Sequence, residues 1–414
     1  MSRVEQLLFA RHAHGPITPA HLSQLEHLVA TGDSAASNLL PTAGNRFHLV
    51  DSTARFADEL VDDINAAEHH FNFTVYGAHP GEVGGPISEK VIVAAERRAA
   101  EGLPVTAQID AVGSGLMFKK KDRVQFVERL RDSRINTIVR ELTFPRRGPL
   151  DDARRAVDHR KSFEIDGRIE WHGGMNVVDA WAPWHDLMQR VEGPAAAQAG
   201  AVLAARFRDL GGDITPERLE VLRRGLMAPV DDASYATRLL TDGNRHRREL
   251  SEAFVDVTRA VEGRFALMDP YLSDPRAMDA VVDVARRLGP NAELFLSPKV
   301  TTGGQLQDVF TDPLRRAWAY EFREAGGQVH PLHGFSHAKG WLADNVAGVG
   351  SHNKDRSSVR FSYENLMATN DPVAIAQLEA AMQRERSLAT FVTQDAMDGW
   401  RSIAIARDIL NLQY

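Results

Sequence analysis

One pattern occurs twice in this chain, as HRKSFEID at residues 159–166 and as HAKGWLAD at residues 337–344. Both copies have the form His-x-Lys, four further residues and Asp, and they start 178 residues apart. A repeat on this scale indicates two related structural units within one chain. We therefore expect the protein to consist of two related halves.

The surroundings of the pattern repeat too. The first copy is followed by GGMN at residues 173–176 and the second by GSHN at residues 350–353, so an Asn follows each His by 17 and 16 residues. A carboxylate follows each His by 27 residues, as Asp186 in the first half and Glu364 in the second. These matching sequels distinguish the pair from a single His-x-Lys that occurs on a strand by chance.

Apolar residues upstream of each copy predict the same order of elements. Strands are predicted at residues 71–76, 105–110, 265–268 and 293–296, and apolar spacings of three and four predict helices between them at residues 87–100 and 276–288. Strand, helix and strand in both halves predict the α/β class. We expect two lobes, each a mixed β-sheet flanked by helices, related by a pseudo-twofold axis with the active site between them.

Three regions are predicted along the chain. They are an N-terminal extension at residues 1–47, a first lobe at residues 48–230 and a second lobe at residues 231–414 that ends in a helix. The extension has no counterpart in the second half, and its leucines predict short helices. The connection between the lobes begins with an Ala-rich segment at Pro194.

Composition excludes several classes of protein. The 414 residues contain no cysteine, which excludes disulfides, thiolate metal sites and Cys nucleophiles. A formal net charge of −7 argues against a broad nucleic-acid-binding surface. No segment approaches the run of about 20 apolar residues that spans a membrane, and the first residues lack the pattern of a secretory signal. We expect a cytoplasmic protein.

The spacing within each copy brings two side chains to one face. On a β-strand alternate side chains point the same way, so each copy presents an imidazole beside an ammonium group. His159 and Lys161 form the first such pair, and His337 and Lys339 form the second.

Each copy then enters a hairpin turn at its Asp. Asp166 precedes Gly167 and Asp344 precedes Asn345, so both Asp residues are turn candidates as well as catalytic candidates. The returning strands end in small residues and amides, which permit close approach of a ligand and donation to an anionic oxygen. These candidate substrate-binding residues are Gly174, Asn176, Ser351 and Asn353.

Two His, two Lys and two Asn around one phosphorus atom suit a phosphodiester. Fixed cations neutralise the charge that gathers on the phosphate oxygens, which is the role expected of Lys161 and Lys339. One His would attack phosphorus while the other protonates the departing oxygen. Neither step requires a metal or a cofactor, and we predict that the protein uses none.

A histidine that attacks phosphorus must be neutral, with its far nitrogen held in the correct tautomer by a carboxylate. Both halves place a carboxylate at the same offset from the His. We therefore predict that Asp186 orients His159 and that Glu364 orients His337.

The repeated motifs resemble those of the phospholipase D superfamily, and in particular its bacterial cardiolipin synthase branch. The resemblance covers residues 48–395 and rests on HRK at 159–161, GGMN at 173–176, WHD at 184–186, HAK at 337–339, GSHNKDRS at 350–357 and YEN at 363–365. It implies two phospholipase D-like lobes and a phosphatidyltransferase with a phospholipid substrate. It also implies that His159 is the nucleophile, which forms a covalent phosphohistidine, and that His337 is the general acid and base.

Two features depart from this family. Cardiolipin synthases often begin with two hydrophobic helices, which this chain lacks, and residues 340–343 are GWLA where β-branched residues are common. Three alternatives stay open: a phospholipase D-type hydrolase that releases phosphatidic acid, a nuclease of the same fold, and a lipid-binding protein without activity. The net charge disfavours nucleic acid as a partner, and the intact His, Lys and Asn pairs argue against an inactive protein.

Several segments are candidates for contact with a membrane surface. They are the basic run at residues 119–121, Trp181 and Trp184, and an amphipathic tail at residues 400–410. Their structural alternatives are a solvated helix face for the basic run, packing beneath the site for Trp184, and docking against its own domain, which we favour, for the tail. Membrane contact would make the protein peripheral on the inner face of the membrane.

The remaining histidines are not expected to bind metal. His69, His70 and His79 lack acidic partners at ligand spacing, so we expect them at the surface or in the lining of a cavity. His352 lies within the second sequel and is expected to have a structural role.

Overall fold

The computed structural model describes residues 1–9, 17–32, 39–77, 85–111, 120–140, 157–179, 182–230, 235–242, 249–298, 306–355, 358–359, 362–390 and 393–409. Its strands are β1 (Thr42–Ala43), β2 (Arg46–Val50), β3 (Phe71–Val75), β4 (Val105–Asp110), β5 (Asn136–Arg140), β6 (Val157–Asp158), β7 (Ser162–Ile165), β8 (Ile169–Gly173), β9 (Met188–Glu192), β10 (Tyr235–Asp242), β11 (Phe265–Met268), β12 (Ala292–Leu296), β13 (Gln328–Pro331), β14 (Gly340–Ala343), β15 (Val346–Gly350) and β16 (Ser362–Thr369). Its α-helices are α1 (Arg3–Phe9), α2 (Pro19–Thr31), α3 (Thr53–Ala66), α4 (Pro86–Ala100), α5 (Lys120–Asp132), α6 (Pro194–Asp209), α7 (Pro216–Leu226), α8 (Glu249–Ala260), α9 (Pro275–Leu288), α10 (Leu306–Glu324), α11 (Pro372–Leu388) and α12 (Gln394–Ile409).

The described strands form two mixed sheets with the same internal order. The first sheet runs β2-β9-β8-β7-β3-β4-β5 and the second runs β10-β16-β15-β14-β11-β12-β13, with β1 beside β10 and β6 beside β16. In both sheets the last three strands are parallel and the other pairs of this shared order are antiparallel. The predicted α/β fold with two related lobes is confirmed.

The predicted elements lie where the apolar pattern puts them. β3, β4, β11 and β12 match their predicted ranges with ends that differ by at most one residue. α4 and α9 start one residue earlier than predicted because Pro86 and Pro275 occupy the first helical turn, where proline lacks nothing that the helix needs. The carboxylate of Asp274 caps α9 by accepting the backbone N–H of Ala277.

Helices cover both faces of the first sheet and enclose the interface between lobes. Apolar side chains of α3, α4 and α5 cover one face of the first sheet, and those of α8, α9 and α10 cover the corresponding face of the second. α6 packs on the other face of the first sheet and also contacts β1 and β10. Every residue of α6 from Pro194 to Phe207 is buried, so this helix lies enclosed between the two sheets.

The N-terminal segment contacts both lobes. α1 packs against α8 and β10, α2 packs against α6 and α7, and β1 extends the second sheet. The first sheet uses residues 46–192, and the second uses residues 235–369 together with β1 and β6. The boundary at residue 230 lies between these ranges and remains a prediction, although β1 and β6 precede it and pair beyond it.

The C-terminal helix is part of the second lobe. α12 packs against α10, and Met397 and Trp400 lie in the core of that lobe. The favoured prediction for the tail, docking against its own domain, is confirmed for the described residues up to 409. No described helix combines the length and the apolar composition needed to span a bilayer.

The GWLA segment of the second motif forms β14. Trp341 is buried, and its cross-strand partner on β15 is Gly348. A methyl group on Gly348 would overlap the indole ring, so the glycine provides the space that the tryptophan fills. The departure from β-branched residues in this strand is thus matched by a small residue opposite.

We expect Gly348→Ala to destabilise the fold by about 1–3 kcal/mol, because the added methyl group overpacks the core against Trp341. Gly399→Ala is the matched control, since Gly399 is exposed on α12 with open space around it and alanine favours a helix by about 1 kcal/mol. Urea unfolding should show a lower midpoint for the first variant only. A midpoint for Gly348→Ala as high as that of the unchanged protein would contradict this packing.

Candidate active site

Backbone hydrogen bonds between the lobes hold the two motifs. β6 leads into the first motif and pairs with β16 of the second sheet, and the N–H of His159 donates to the carbonyl oxygen of Tyr363 at 3.0 Å. In the reverse direction, the N–H of His337 donates to the carbonyl oxygen of His185 at 2.7 Å. Each histidine is thus fixed by the residue that precedes the carboxylate of the other lobe.

The carboxylates pair with the histidines across the lobes. Nδ1 of His159 lies 3.1 Å from Oε2 of Glu364, and Nδ1 of His337 lies 2.7 Å from Oδ2 of Asp186. The prediction that Asp186 orients His159 and Glu364 orients His337 is therefore wrong. Equal offsets along the chain identified the right carboxylates but the wrong partners, because each carboxylate is carried to the other lobe by the backbone pairing.

Lys161 and Lys339 place their ammonium groups beside the histidines. Nζ of Lys161 donates to the carbonyl oxygen of His159 at 2.6 Å, and Nζ of Lys339 donates to that of His337 at 2.5 Å. Burial lowers the pKa of Lys161 to about 7 and the pKa of Lys339 to about 8. The charge of Lys339 also contributes to the lowered pKa of Lys161, so the two motifs converge on one site.

Burial favours neutral imidazoles at this site. Burial lowers the pKa of His159, and attraction by Glu364 offsets only part of that effect. Burial and the charge of Lys339 lower the pKa of His337 to about 3. Burial alone would raise the pKa of Asp186, but its interactions with His337 lower it, so this carboxylate accepts Nδ1–H in ionised form. A neutral ring held through Nδ1–H leaves Nε2 free to attack or to accept a proton.

Two polar side chains fix the backbone just before each histidine. Oδ2 of Asp110, at the end of β4, accepts the N–H of Asp158 at 2.9 Å. Oγ of Ser297, directly after β12, accepts the N–H of Ser336 at 2.9 Å. Sequence reasoning missed both residues, although a signal existed: each ends the second predicted strand of its half.

Aromatic rings surround the two imidazoles. Tyr76 meets His159 edge to face with 4.8 Å between ring centroids, and Nζ of Lys161 lies 5.1 Å from the centre of the same tyrosine ring. Trp184 lies 5.5 Å from His337, which confirms packing beside the site as the role of this half-buried tryptophan. Two further rings near His337 are Tyr271 and Phe335.

Asp166 and Asp344 lie in the hairpin turns, at the strand ends away from the histidines. Their φ angles are 55° and 54°, in the left-handed region. The carboxylate of Asp166 accepts the backbone N–H groups of residues 68–70, and that of Asp344 accepts those of residues 262–264. Their prediction as catalytic residues is corrected, because turn conformation and these backbone contacts account for both carboxylates.

Gly174 and Ser351 occupy equivalent positions beside the two carboxylates. A methyl group on Gly174 would overlap the carboxylate of Asp186. At the matching position, the hydroxyl of Ser351 donates to Glu364. These residues were predicted to approach a ligand, whereas the structure shows that one gives space to a carboxylate and the other gives it a hydrogen bond.

The two predicted amides lie close to the motifs and are buried. Oδ1 of Asn176 accepts the N–H of Gly77 at 2.8 Å, which leaves Nδ2 as the group able to donate to a ligand. Oδ1 of Asn353 has no hydrogen-bond partner among the described residues. A role for both amides in holding a phosphate oxygen remains a prediction.

The other predicted residues are accounted for as follows. His352 is fully buried with Nε2 3.1 Å from Oγ of Ser251, which agrees with a structural role. His69 and His70 line a cavity in the first lobe. His79, Trp181 and residue 119 lie outside the described residues, as do the side chains of residues 120 and 121.

Known proteins share sequence features with this chain. Residues 259–386, which contain the second motif, match the family described as "Cardiolipin synthase, PLD-like domain". Cardiolipin synthase A of Salmonella arizonae is 24% identical over 357 residues, which cover 81% of this chain and 68% of that protein. Cardiolipin synthase A of Salmonella paratyphi B shows the same identity and coverage.

Solved structures share the fold. Phosphatidylserine synthase from Haemophilus influenzae Rd KW20 superposes with a TM-score of 0.65 at 14% identity, covering 95% of this chain and 99% of that chain. Polyphosphate kinase from Porphyromonas gingivalis superposes with a TM-score of 0.51 at 13% identity, covering 96% of this chain and 59% of that chain. With two His-x-Lys motifs converging on one site between two related lobes, this chain belongs to the phospholipase D superfamily.

Proposed function

We propose that the chain is a phosphatidyltransferase that acts on phospholipid phosphodiesters through a covalent phosphohistidine. The observation that carries the proposal is the pair of histidines, each held at Nδ1 by a carboxylate of the other lobe and accompanied by a buried lysine. Such a pair supplies one imidazole as nucleophile and one as proton carrier. The relatives are named cardiolipin synthases, which supports phosphatidylglycerol as donor and acceptor.

In the first step, Nε2 of His159 attacks the phosphorus atom and the bond from phosphorus to the headgroup oxygen breaks. Nε2–H of His337 gives its proton to that departing oxygen. The phosphatidyl group stays on His159 as a phosphohistidine. The choice of His159 as nucleophile rests on the family resemblance, and the crossed carboxylates suit either histidine.

In the second step, Nε2 of His337 accepts the proton of an acceptor hydroxyl while that oxygen attacks phosphorus. The nitrogen–phosphorus bond breaks, and the imidazole of His159 is restored. A hydroxyl of a second phosphatidylglycerol gives cardiolipin, whereas water gives phosphatidic acid. The aromatic rings of Tyr76 and Trp184 reduce the access of water to the imidazoles, which supports transfer to an alcohol.

Substrate charge sets the protonation of the site. A phosphodiester anion beside His337 favours its imidazolium form, which counteracts the burial that lowers its pKa. The same anion favours the ammonium forms of Lys161 and Lys339, which neutralise charge on the phosphate oxygens. Because the proposed lipids reside in a bilayer, the protein would work as a cytoplasmic enzyme bound peripherally to the inner face of the membrane.

His159→Ala should abolish turnover of phosphatidylglycerol, because no other group can form the phosphohistidine. The unchanged protein, denatured in alkali during turnover, should carry a phosphatidyl adduct at residue 159 by mass spectrometry. Added chelator should not change the rate, and lipid mass analysis should show cardiolipin as product. An adduct on His337 would refute the assigned roles, and activity that chelator removes and zinc or magnesium restores would refute the mechanism.

The value of kcat/KM should be highest near neutral pH. The pKa of His159 lies below its usual 6.5, so protonation of the nucleophile should reduce the rate only below that pH. With pKa values of about 7 and 8, Lys161 and Lys339 lose their charges as the pH rises, so kcat/KM should fall above this range. Bound phosphate favours the charged lysines, so the alkaline limb of kcat should lie at higher pH. Coincident alkaline limbs would contradict the assignment.

The two carboxylates should affect different steps, although each variant should lose about 10³–10⁴-fold in kcat, the scale seen when a histidine loses its orienting carboxylate. Glu364→Gln should slow formation of the phosphohistidine, because Glu364 holds His159. Asp186→Asn should slow its release and raise its steady-state level, because Asp186 holds His337. Adduct levels measured by mass spectrometry in each variant separate the two effects.

Asp344→Asn is the control for these variants. An asparagine keeps an acceptor oxygen for the backbone of residues 262–264 and tolerates the left-handed conformation, so kcat should be unchanged. A large loss of kcat at unchanged stability would restore Asp344 as a catalytic residue. Equal adduct levels in the Asp186 and Glu364 variants would show that the carboxylates do not act on separate steps.

A further inference from the structure

The first lobe contains a cavity at the sheet edge opposite the candidate active site. Its volume is about 730 Å³, within the range of small-molecule sites. The start of β3 and the first turn of α7 both line it. The active site lies beyond the other end of β3, which at five residues separates the two sites by about 17 Å.

Two buried side chains in the cavity wall carry polar atoms without partners. His70 is 2% exposed and Asn72 is 1% exposed, and both bind the buried carboxylate of Glu164, through Nε2 at 2.9 Å and through Nδ2 at 2.6 Å. Nδ1 of His70 and Oδ1 of Asn72 have no hydrogen-bond partner among the described residues. Because Nε2–H of the neutral imidazole donates to Glu164, both unpartnered atoms are acceptors that require a donor.

Arg218 has the opposite requirement. Its Nε and Nη2 atoms are shielded from solvent and bind no group in the described part of the chain. These two nitrogens form the side of the guanidinium that binds two oxygens of one anion. The charge of Glu164 acts on Arg218, so the guanidinium lies on the same side of the cavity as His70 and Asn72. A shielded cation without a hydrogen-bond partner is costly unless an anion binds it.

The rest of the lining restricts the charge of the ligand. Arg223 also lines the cavity, but its guanidinium is occupied by Glu26 at 2.7 Å. The exposed carboxylates of Asp213, Glu217 and Glu220 lie in the same lining and would repel a polyanion. The N-terminus of α7, which Thr215 caps, adds the positive end of the helix dipole. A ligand with one negative charge fits this balance.

We propose that this cavity binds a singly charged phosphodiester that carries free hydroxyl groups, of the glycerophosphoglycerol type. Two phosphate oxygens accept from Nε–H and Nη2–H of Arg218, while hydroxyl groups donate to Oδ1 of Asn72 and Nδ1 of His70. The same chemistry occurs in a free diester and in a phosphatidylglycerol headgroup. The site is separate from the His159 and His337 site and does not depend on its chemistry.

Calorimetric titration with glycerophosphoglycerol tests the free diester, in a His159→Ala background so that no turnover consumes the probe. Arg218→Met removes the two donors and keeps the aliphatic stem. Arg223→Gln is the matched control, because that guanidinium lines the cavity but is already paired. We expect Arg218→Met to weaken one binding event by at least about tenfold, while Arg223→Gln and Lys339→Met leave that event unchanged.

Sedimentation with vesicles of phosphatidylglycerol, against vesicles of phosphatidylcholine, tests the lipid headgroup in the same variants. Weaker binding of the free diester by Arg218→Met identifies a soluble ligand, and weaker binding of the vesicles alone identifies a headgroup. If Arg218→Met fails to fold by circular dichroism, Arg218→Lys keeps the charge without the paired donors and should show the same loss. Binding of both probes that is absent, or unchanged in these Arg218 variants, overturns the proposal.

Discussion

An exchange of short backbone segments between the lobes underlies the site. β6 pairs in the second sheet, and the carbonyl groups of Tyr363 and His185 hold His159 and His337 from the opposite lobe. The same exchange brings each buried carboxylate to the histidine that it orients. Separation of the lobes would leave buried carboxylates without their partners, at a cost of several kcal/mol for each unpaired charge. The tandem repeat therefore behaves as one catalytic unit.

The two halves of the site are related but not equal. Glu364 receives the hydroxyl of Ser351, whereas Asp186 has only the space left by Gly174. Tyr363 packs under the guanidinium of Arg206 at 4.0 Å from its ring centre, and this contact belongs to the His159 side alone. Identical motifs can thus place two histidines in different surroundings. Such a difference is what a division into nucleophile and proton carrier requires.

Local sequence patterns predicted the fold and the site residues better than their pairing. The strands and helices of both lobes follow from apolar spacing, and the converging His and Lys residues follow from the repeat. The partner of each carboxylate did not follow, because an offset along the chain carries no information on which lobe a strand end reaches. Asp166 was ambiguous for a physical reason, since an Asp before Gly167 suits both a turn and a catalytic role. The cavity at Arg218 depends on a helix and a strand that are distant in sequence, so no motif marks it.

The pairing of β1 with β10 and of β6 with β16 also bears on how the protein is made. Synthesis on the ribosome releases the N-terminal half first, so β6 emerges long before residues 362–369 exist. During that interval its backbone donors and acceptors, and the apolar surface of α6, stay exposed in the nascent chain. Completion of the first half must wait for nearly the whole polypeptide to be translated.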